Sequence, residues 1–340
     1  MSKPLIISAP EPRSIDLIFT QAARDTLLAR YDVVEVAEKQ LGSLDTATLA
    51  RARYILGQPP LESRTVQAMR NLRCIFNVES NLINNMPYDL VFERGIHVVT
   101  TGAVFAAPVA EMGLAMALCL ARNVVHADAA FQSGTEIWGA QSNSGAALLS
   151  GSKVGLIGFG DLGRALARLL QGFRAQISAF DPWLPPSVLR EADVIPATLD
   201  EILSHSDTVF VVASVTSENK GFLDATQFAK MKPGARFILL SRADVVEFDA
   251  LIDAVRQGHI LAASDVFPQE PLALDHPVRR LPGFLRSAHR AGALDCAFKK
   301  MGDMVLEDMS LIDKGLPPMR CKRAERETVA MMRSKPVIIN

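Results

Sequence analysis

Three polar side chains in the second half of the chain could together transfer a proton to a carbonyl group. Arg242 stands in RFILLSRADVVEFDAL, Glu270 in ASDVFPQEPL and His289 in RSAHRAGAL. An arginine suits an anionic substrate because its planar guanidinium binds a carboxylate through two parallel hydrogen bonds. A histidine with a carboxylate neighbour is a suitable general acid or base. These residue types predict chemistry on a small 2-oxo carboxylate.

Each of these side chains also has an ordinary structural explanation when it is taken alone. An arginine or glutamate on a loop of an α/β protein is usually a surface charge, and most of the six histidines will be structural. Their shared position favours function, because each follows a β-rich run. Ligands of open parallel sheets bind at the carboxyl ends of the strands.

A glycine-rich turn, VGLIGFGDLGRALARLL, lies between a β-rich run and a helical pattern. Gly158 permits a tight turn, Gly160 permits close approach of a pyrophosphate, and Gly163 permits close packing of helix on strand. The first turn of the helix, with Asp161 and Leu162, offers backbone N–H groups and the positive end of the helix dipole to a phosphate. The pattern alone is a weak signal, but its strand–turn–helix context predicts a dinucleotide site.

An acidic residue completes the dinucleotide pattern. The run AQISAFD ends in Asp181, eighteen residues after Gly163. A carboxylate at this distance is placed to accept hydrogen bonds from an adenosine ribose. The same carboxylate would repel a 2′-phosphate, so the sequence favours NAD over NADP.

The elements that must position these residues alternate along the chain between β-rich and helical patterns. LIISA, DVVEV, YILG, CIFNV and IHVVT are predicted strands of a first series, and KVGLIGF, AQISAFD, TVFVVAS, RFILLS and ILAASDVF of a second. Between the series runs a helical pattern that starts near Pro108 and ends near Gly134, followed by a Gly/Ser-rich connector. Such alternation predicts an α/β fold with parallel sheets, and 340 residues predict two domains.

The composition excludes several classes of protein. The net charge is −1 with 21% charged residues, so no affinity for nucleic acid or anionic membranes is expected. The charged run RCKRAERE has mixed signs and is interpreted as a solvated surface. The longest apolar run, MGLAMALCLA, is short for a membrane span and is interpreted as a buried helix. Four dispersed cysteines indicate neither a disulfide framework nor a metal site, and they favour a cytoplasmic location.

These motifs together resemble the D-isomer-specific 2-hydroxyacid dehydrogenase family, which includes phosphoglycerate dehydrogenase, glyoxylate/hydroxypyruvate reductase and D-lactate dehydrogenase. The similarity covers nearly the whole chain, through ERGIHVVTTG, VAEMGLAMALCLARN, LLSGSKVGLIGFGDLGRALA, SVTSENKGFL and DVFPQEPL. It implies a flavodoxin-like substrate domain of residues 1–107, completed by residues 295–340. It also implies an inserted Rossmann-type, doubly wound parallel-sheet NAD domain of residues 108–294. Members commonly form homodimers through the NAD domain, with the long helix and an arm around residues 109–150.

The resemblance also implies roles for single residues. Arg242 would bind the substrate carboxylate, His289 would be the acid/base, and Glu270 would be the carboxylate that tunes it. Asp265 would be the family's aspartate near the nicotinamide carboxamide.

A further stretch resembles the family's substrate-binding loop, and it departs from the family pattern. The loop corresponds to FNVESNLINN, in which Glu79, Ser80 and Asn81 are predicted to contact the substrate. Glu79 stands where the family has a glycine, and residues 103–108 are apolar where the family carries polar side chains. A carboxylate beside an anionic substrate must point away or meet a cation, so an unusual substrate is expected.

The predicted activity is NAD(H)-dependent interconversion of a small 2-oxo acid and its D-2-hydroxy acid, with no metal. The alternative is an NAD(H)-binding regulator, similar to the family's co-repressor relatives, with little or no turnover. An L-specific dehydrogenase of the malate/lactate type would carry its glycine motif near the N-terminus, so the position of Gly158 argues against it.

Overall fold

A computed structural model describes residues 3–79, 81–216 and 218–330 of the chain. The chain forms two compact units. The first unit combines residues 3–105 with residues 293–330, and the second is Ala106–Gly292. The α/β class and the two-domain architecture are therefore confirmed. The assignment of substrate to the first unit and cofactor to the second stays a prediction.

The first unit is built on a six-stranded sheet. Its strands are β1 (Leu5–Ser8), β2 (Asp32–Glu35), β3 (Ala52–Leu56), β4 (Cys74–Asn77), β5 (His97–Thr100) and β13 (Lys322–Arg323). Its helices are α1 (Ile15–Ile18), α2 (Gln21–Arg30), α3 (Thr46–Arg51), α4 (Ser63–Ala68), α5 (Tyr88–Glu93), α13 (Asp295–Asp313) and α14 (Arg326–Ala330). The strand order is β13-β5-β4-β3-β1-β2, with all pairs parallel except β13 against β5.

The inner strands β1 and β4 are buried along their whole length, because helices cover both faces of the sheet. Successive side chains point to opposite faces, so alternate residues enter different cores. Ile6 and Tyr54 pack with α1, α2 and α13 on one face. Ile7 and Ile55 pack with α3, α4 and α5 on the other. The carboxyl ends of β1, β3, β4 and β5 therefore meet at one edge of the sheet.

The second unit is built on a seven-stranded, all-parallel sheet. Its strands are β6 (Lys153–Ile157), β7 (Gln176–Phe180), β8 (Ile195–Pro196), β9 (Thr208–Val211), β10 (Arg236–Leu239), β11 (Leu261–Ser264) and β12 (Phe284–Arg286). Its helices are α6 (Ala106–Arg122), α7 (Val124–Gln132), α8 (Asp161–Gln171), α9 (Pro186–Arg190), α10 (Leu199–His205), α11 (Ala225–Ala229) and α12 (Phe248–Arg256). The strand order is β12-β11-β10-β9-β6-β7-β8, the doubly wound order expected of a Rossmann-type domain.

The long helical pattern that starts near Pro108 forms two helices and not one. Asn123 has φ of 53°, in the left-handed region, and separates α6 from α7. An asparagine tolerates this conformation better than most residues, because its short polar side chain can bond locally. The prediction of one continuous helix was therefore wrong at this residue.

Two short strands of the second unit and one of the first were not predicted. Strand β13 lies within the charged run RCKRAERE, and both of its side chains are exposed, so it is a solvated edge strand. A buried carboxylate explains its position. Asp308 is fully buried and accepts hydrogen bonds from the backbone N–H groups of Met319, Arg320 and Cys321, which fixes the segment just before β13.

One helical stretch, Gly102–Arg122, is long and apolar enough to cross a membrane by length and composition alone, with 33% of its most apolar window buried. Its main part, α6, packs on α8 and β10. Gly113 makes this packing close, because a Cβ there would lie 2.4 Å from Leu240 Cδ1. These contacts bury one face of α6 in the second unit, so the apolar run that was predicted to be a buried helix is buried only in part. The absence of a membrane partner stays a prediction.

Candidate active site

The structure brings Arg242, Glu270 and His289 to one edge of the second sheet. Arg242 follows β10, Glu270 follows β11, and His289 follows β12. These three strands are consecutive neighbours in the sheet. Because all of them are parallel, their carboxyl ends lie side by side, and the three loops meet there.

Glu270 and His289 are in direct contact. Nδ1 of His289 lies 2.5 Å from Oε2 of Glu270, and the backbone N–H of Phe267 donates to Oε1 at 2.8 Å. Burial raises the pKa of Glu270, but the hydrogen bonds from His289 and Phe267 and the charges of His289 and Arg242 outweigh it. The pKa of Glu270 is therefore below its ordinary value, and the carboxylate stays ionised at neutral pH.

This contact leaves the other ring nitrogen of His289 for a substrate. With Nδ1 engaged by a carboxylate, the ring is fixed in orientation, and Nε2 is the atom that can exchange a proton. The side chain is 37% exposed, so the ring is accessible while its partner Glu270 is more covered. Arg242 lies close enough for its charge to lower the pKa of Glu270, and its Nη1 donates to the Ser241 carbonyl at 2.7 Å.

Asp265 holds the loop that carries His289. Its side chain is almost fully buried, and its two carboxylate oxygens accept the N–H groups of Arg290 at 3.0 Å and Ala291 at 2.9 Å. Its backbone carbonyl accepts the N–H of His289 at 2.7 Å. His289 has φ of 49°, a strained region for a residue other than glycine, so these bonds hold a conformation that the residue does not prefer. The predicted role of Asp265 toward a nicotinamide stays a prediction.

The glycine-rich turn has the shape that a pyrophosphate requires. Gly158 has φ of +96°, and a Cβ there would lie 2.7 Å from Ala213 N and Cα. A Cβ at Gly163 would lie 2.6 Å from the Gly158 carbonyl oxygen. At Gly160 the Cβ position is open space, with no atom within 4 Å. No side chain caps the first turn of α8, where Asp161 and Leu162 lie, so its N–H groups can meet a phosphate. The residues present fit a dinucleotide.

Asp181 lies beside this turn, at the end of β7. Its Oδ2 accepts the N–H of Phe159 at 2.8 Å, and its Oδ1 accepts the N–H of Trp183 at 3.0 Å. The carboxylate is thus fixed against the turn, and each oxygen keeps lone pairs for a further donor such as a ribose hydroxyl.

The predicted substrate loop lies in the first unit, after β4. The N–H of Glu79 donates to Asn77 Oδ1 at 2.8 Å, and Asn77 Nδ2 donates to the Asn81 carbonyl at 2.7 Å. The carboxylate of Glu79 binds Arg13, with 3.0 Å between Nη2 and Oε2. Ser80 lies outside the described residues. The carboxylate at Glu79 therefore meets a cation, and that cation belongs to the protein.

Three features of the site were not predicted from the sequence: Arg13, Phe267 and the hydrogen bonds by which Asp265 holds the His289 loop. Arg13 follows β1 as Glu79 follows β4, so their common sheet edge was the available signal. For Asp265, the signal was a carboxylate at the end of an apolar strand, where burial demands hydrogen-bond donors. Nothing in the residue type of Phe267 indicates its backbone contact. Within the described part of the chain, no group of three or more His, Cys, Asp or Glu residues could hold a metal ion.

Comparisons with known proteins show which family and which solved structures the chain is similar to. A family model described as D-isomer specific 2-hydroxyacid dehydrogenase, NAD binding domain, matches residues 114–291, just over half of the chain. The crystal structure of a phosphoglycerate oxidoreductase from Rhizobium etli is 64% identical, with a TM-score of 0.90, and the match covers 96% of this chain and 100% of that chain.

Relatives of lower sequence identity are named for different reactions. The D-3-phosphoglycerate dehydrogenase of Mycobacterium leprae is 29% identical over 300 residues, 87% of this chain, and the chain spans 56% of the length of that relative. The glyoxylate reductase of Thermofilum pendens is 29% identical over 265 residues, 76% of this chain and 77% of the relative.

The bonds of Asp265 lead to a prediction for the His289 loop. We expect Asp265→Ala to lower the free energy of unfolding by about 1–3 kcal/mol, because two N–H groups lose their acceptors. In hydrogen exchange, the amides of Arg290 and Ala291 should exchange faster than in the wild type. Their exchange rates in Asp265→Asn should lie between those of the wild type and those of Asp265→Ala. The exposed Asp275 provides the matched control, Asp275→Ala, which should change neither quantity. Unchanged exchange at both amides in Asp265→Ala would contradict the conclusion that Asp265 holds this loop.

Proposed function

Because this chain belongs to the D-isomer specific 2-hydroxyacid dehydrogenase family, we propose that it interconverts a small 2-oxo acid and its D-2-hydroxy acid with NAD(H). The family's members are oxidoreductases that act on small 2-oxo and 2-hydroxy acids, and residues 114–291 match its NAD-binding domain. The observation that carries the proposal is the contact between Glu270 and His289 at the strand edge that also holds Arg242.

Each of these three side chains has one task in the proposed reaction. A nicotinamide cofactor, when bound, supplies or accepts the hydride. Arg242 holds the substrate carboxylate, because its guanidinium offers two parallel donors. In reduction, protonated His289 gives the proton on Nε2 to the carbonyl oxygen as it becomes an alkoxide. The ionised Glu270 holds the ring through Nδ1, and in oxidation the neutral ring takes the hydroxyl proton.

Asp181 supports NAD as the cofactor in preference to NADP. Its carboxylate is fixed beside the glycine-rich turn by the N–H groups of Phe159 and Trp183. A 2′-phosphate brought to this carboxylate would be repelled, whereas a ribose hydroxyl would find a hydrogen-bond acceptor.

An exposed apolar arm supports a homodimer formed through the second unit. No residue of α7 is buried, and Phe131, Ile137 and Trp138 are each more than 60% exposed. Large apolar surfaces of this kind mark interaction sites on soluble proteins. We propose that two copies of the chain cover these residues in each other. All four cysteines are free thiols in the structure, which supports the proposed cytoplasmic location.

The regulatory alternative differs from this proposal in turnover. A regulator needs the glycine-rich turn and Asp181 to bind NAD(H), but it has no use for an imidazole held by a carboxylate. The direct test is oxidation of NADH with glyoxylate, hydroxypyruvate, pyruvate, 3-phosphohydroxypyruvate and bulky aromatic 2-oxo acids, repeated with NADPH. We expect turnover on at least one of these acids. For that acid, kcat/KM should be at least about tenfold higher with NADH than with NADPH. NADH binding without turnover on any acid would favour the regulator.

We expect His289→Gln to lower kcat by about 10² to 10⁴-fold, because the proton donor is lost, while NADH binding measured by fluorescence persists. Glu270→Gln should retain more activity. It should lose kcat more than it raises KM, because the ring is no longer held by a carboxylate while the proton donor remains. Near-normal turnover of His289→Gln would refute the assignment.

The arm leads to a prediction of oligomeric state. In sedimentation, the wild type should be a dimer, and Trp138→Glu combined with Phe131→Glu should be a monomer, because two charges would be buried in the contact. Leu274 is 91% exposed outside the arm, so Leu274→Glu is the matched control and should remain a dimer. A monomeric wild type at micromolar concentration would contradict the proposal.

A further inference from the structure

A second charged cluster lies in the first unit, at the carboxyl edge of its sheet. Arg13 follows β1, and Glu79 follows β4. Nε of Arg13 lies 2.8 Å from Glu79 Oε1 and donates to the Val78 carbonyl at 3.1 Å, while Nη2 donates to Oε2 at 3.0 Å. Only Nη2 therefore donates to the carboxylate, because Nε lies close to Oε1 but donates its proton to the Val78 carbonyl.

Aromatic rings hold the guanidinium in this position. Its Cζ lies 4.5 Å from the ring centre of Phe298 and 5.6 Å from that of Phe105. The two rings contact each other edge to face, at 6.2 Å between their centres. The Arg13 side chain is only 16% exposed, so its charge has little water around it and interacts strongly with a nearby anion.

The backbone of the loop holds Glu79 against Arg13. Its N–H donates to Asn77 Oδ1, and its carbonyl accepts a hydrogen bond from Thr100 Oγ1. Both Asn77 and Thr100 are buried. Both backbone groups of Glu79 are therefore hydrogen-bonded, and this holds its carboxylate against the guanidinium of Arg13.

The arrangement has a consequence for anions that come from solution. Nη2 of Arg13, which Glu79 occupies, is a donor that could instead bind a carboxylate or phosphate group from solution. A carboxylate attached to the protein has a high effective concentration at this site, so a free anion displaces it poorly. A substrate with a second anionic group would also be repelled by Glu79 itself.

We propose that Glu79 is a specificity-determining residue, which occupies Arg13 and so restricts the protein to 2-oxo acids without a second anionic group. Removal of its charge exposes Arg13 as a receptor for a phosphate or carboxylate on the substrate. The inference rests on the proposed function and on the predicted contact of the loop of Glu79 and Asn81 with the substrate.

Two substrates that differ only by a phosphate test this proposal. The ratio of kcat/KM for 3-phosphohydroxypyruvate to that for hydroxypyruvate is measured in wild type, Glu79→Gln and the double variant Glu79→Gln/Arg13→Gln. We expect the ratio to favour hydroxypyruvate in the wild type and to rise at least about tenfold in Glu79→Gln, mainly through KM. The double variant should lose this gain, because the cation is absent.

The matched control is another ion pair of the same unit. Asp32 binds Arg51 through an exposed contact of 3.0 Å and lies at the amino end of β2, away from the carboxyl edge. Asp32→Asn makes the same change of charge as Glu79→Gln and should leave the ratio within about twofold of the wild type.

A binding experiment separates this inference from the proposed function. Titration with inorganic phosphate, followed by calorimetry, should give no heat of binding at millimolar concentration with wild type, saturable binding with Glu79→Gln, and none with the double variant. This result stands even if the wild type oxidises no NADH with any 2-oxo acid, the outcome that refutes the proposed function alone. The inference is overturned if Glu79→Gln neither binds phosphate nor shifts the ratio. It is also overturned if the wild type already prefers the phosphorylated acid and Arg13→Gln abolishes that preference.

Discussion

The hydrogen bond between Glu270 and His289 depends on two loops, each of which holds its residue in an unfavourable state. His289 takes a left-handed backbone conformation, and Glu270 is a carboxylate that burial alone would drive toward its neutral form. Asp265 offsets the first cost by binding the N–H groups of Arg290 and Ala291. The Phe267 N–H and the charges of His289 and Arg242 offset the second, so the carboxylate remains ionised.

The parallel sheet explains why residues far apart in sequence can share one site. Arg242, Glu270 and His289 follow three neighbouring parallel strands, so their loops leave the sheet at the same edge. The same rule holds in the first unit, where Arg13 and Glu79 follow β1 and β4. The two edges differ in one respect. In the first unit the carboxylate accepts a hydrogen bond from the arginine, whereas Glu270 binds the histidine beside Arg242.

Much of this organisation is predictable from residue types and their spacing. The apolar runs predict the long strands, because parallel strands covered on both faces must be apolar along their length. The glycine spacing predicts the turn at Gly158, since only glycine fits the positive φ and the close approach of Ala213. The family resemblance predicted Arg242, Glu270 and His289 as site residues, and the structure brings the three together.

The remaining features depend on tertiary contacts that leave no local pattern. The break at Asn123 interrupts a helical periodicity that continues on both sides of it. Strand β13 has only two residues, and it forms where Asp308 fixes the preceding segment. The partner of Glu79 lies sixty-six residues away at Arg13, and only the folded sheet places the two side chains together.

The most direct test of the central claim is the protonation and hydrogen bonding of the His289 ring in solution. In protein labelled with ¹⁵N-histidine, we expect Nδ1 of His289 to carry a proton whose resonance lies at low field. That resonance should disappear in Glu270→Gln and persist in the control variant His276→Gln. A spectrum in which Nδ1 of His289 carries no proton, or in which Glu270→Gln leaves the resonance unchanged, would contradict the account.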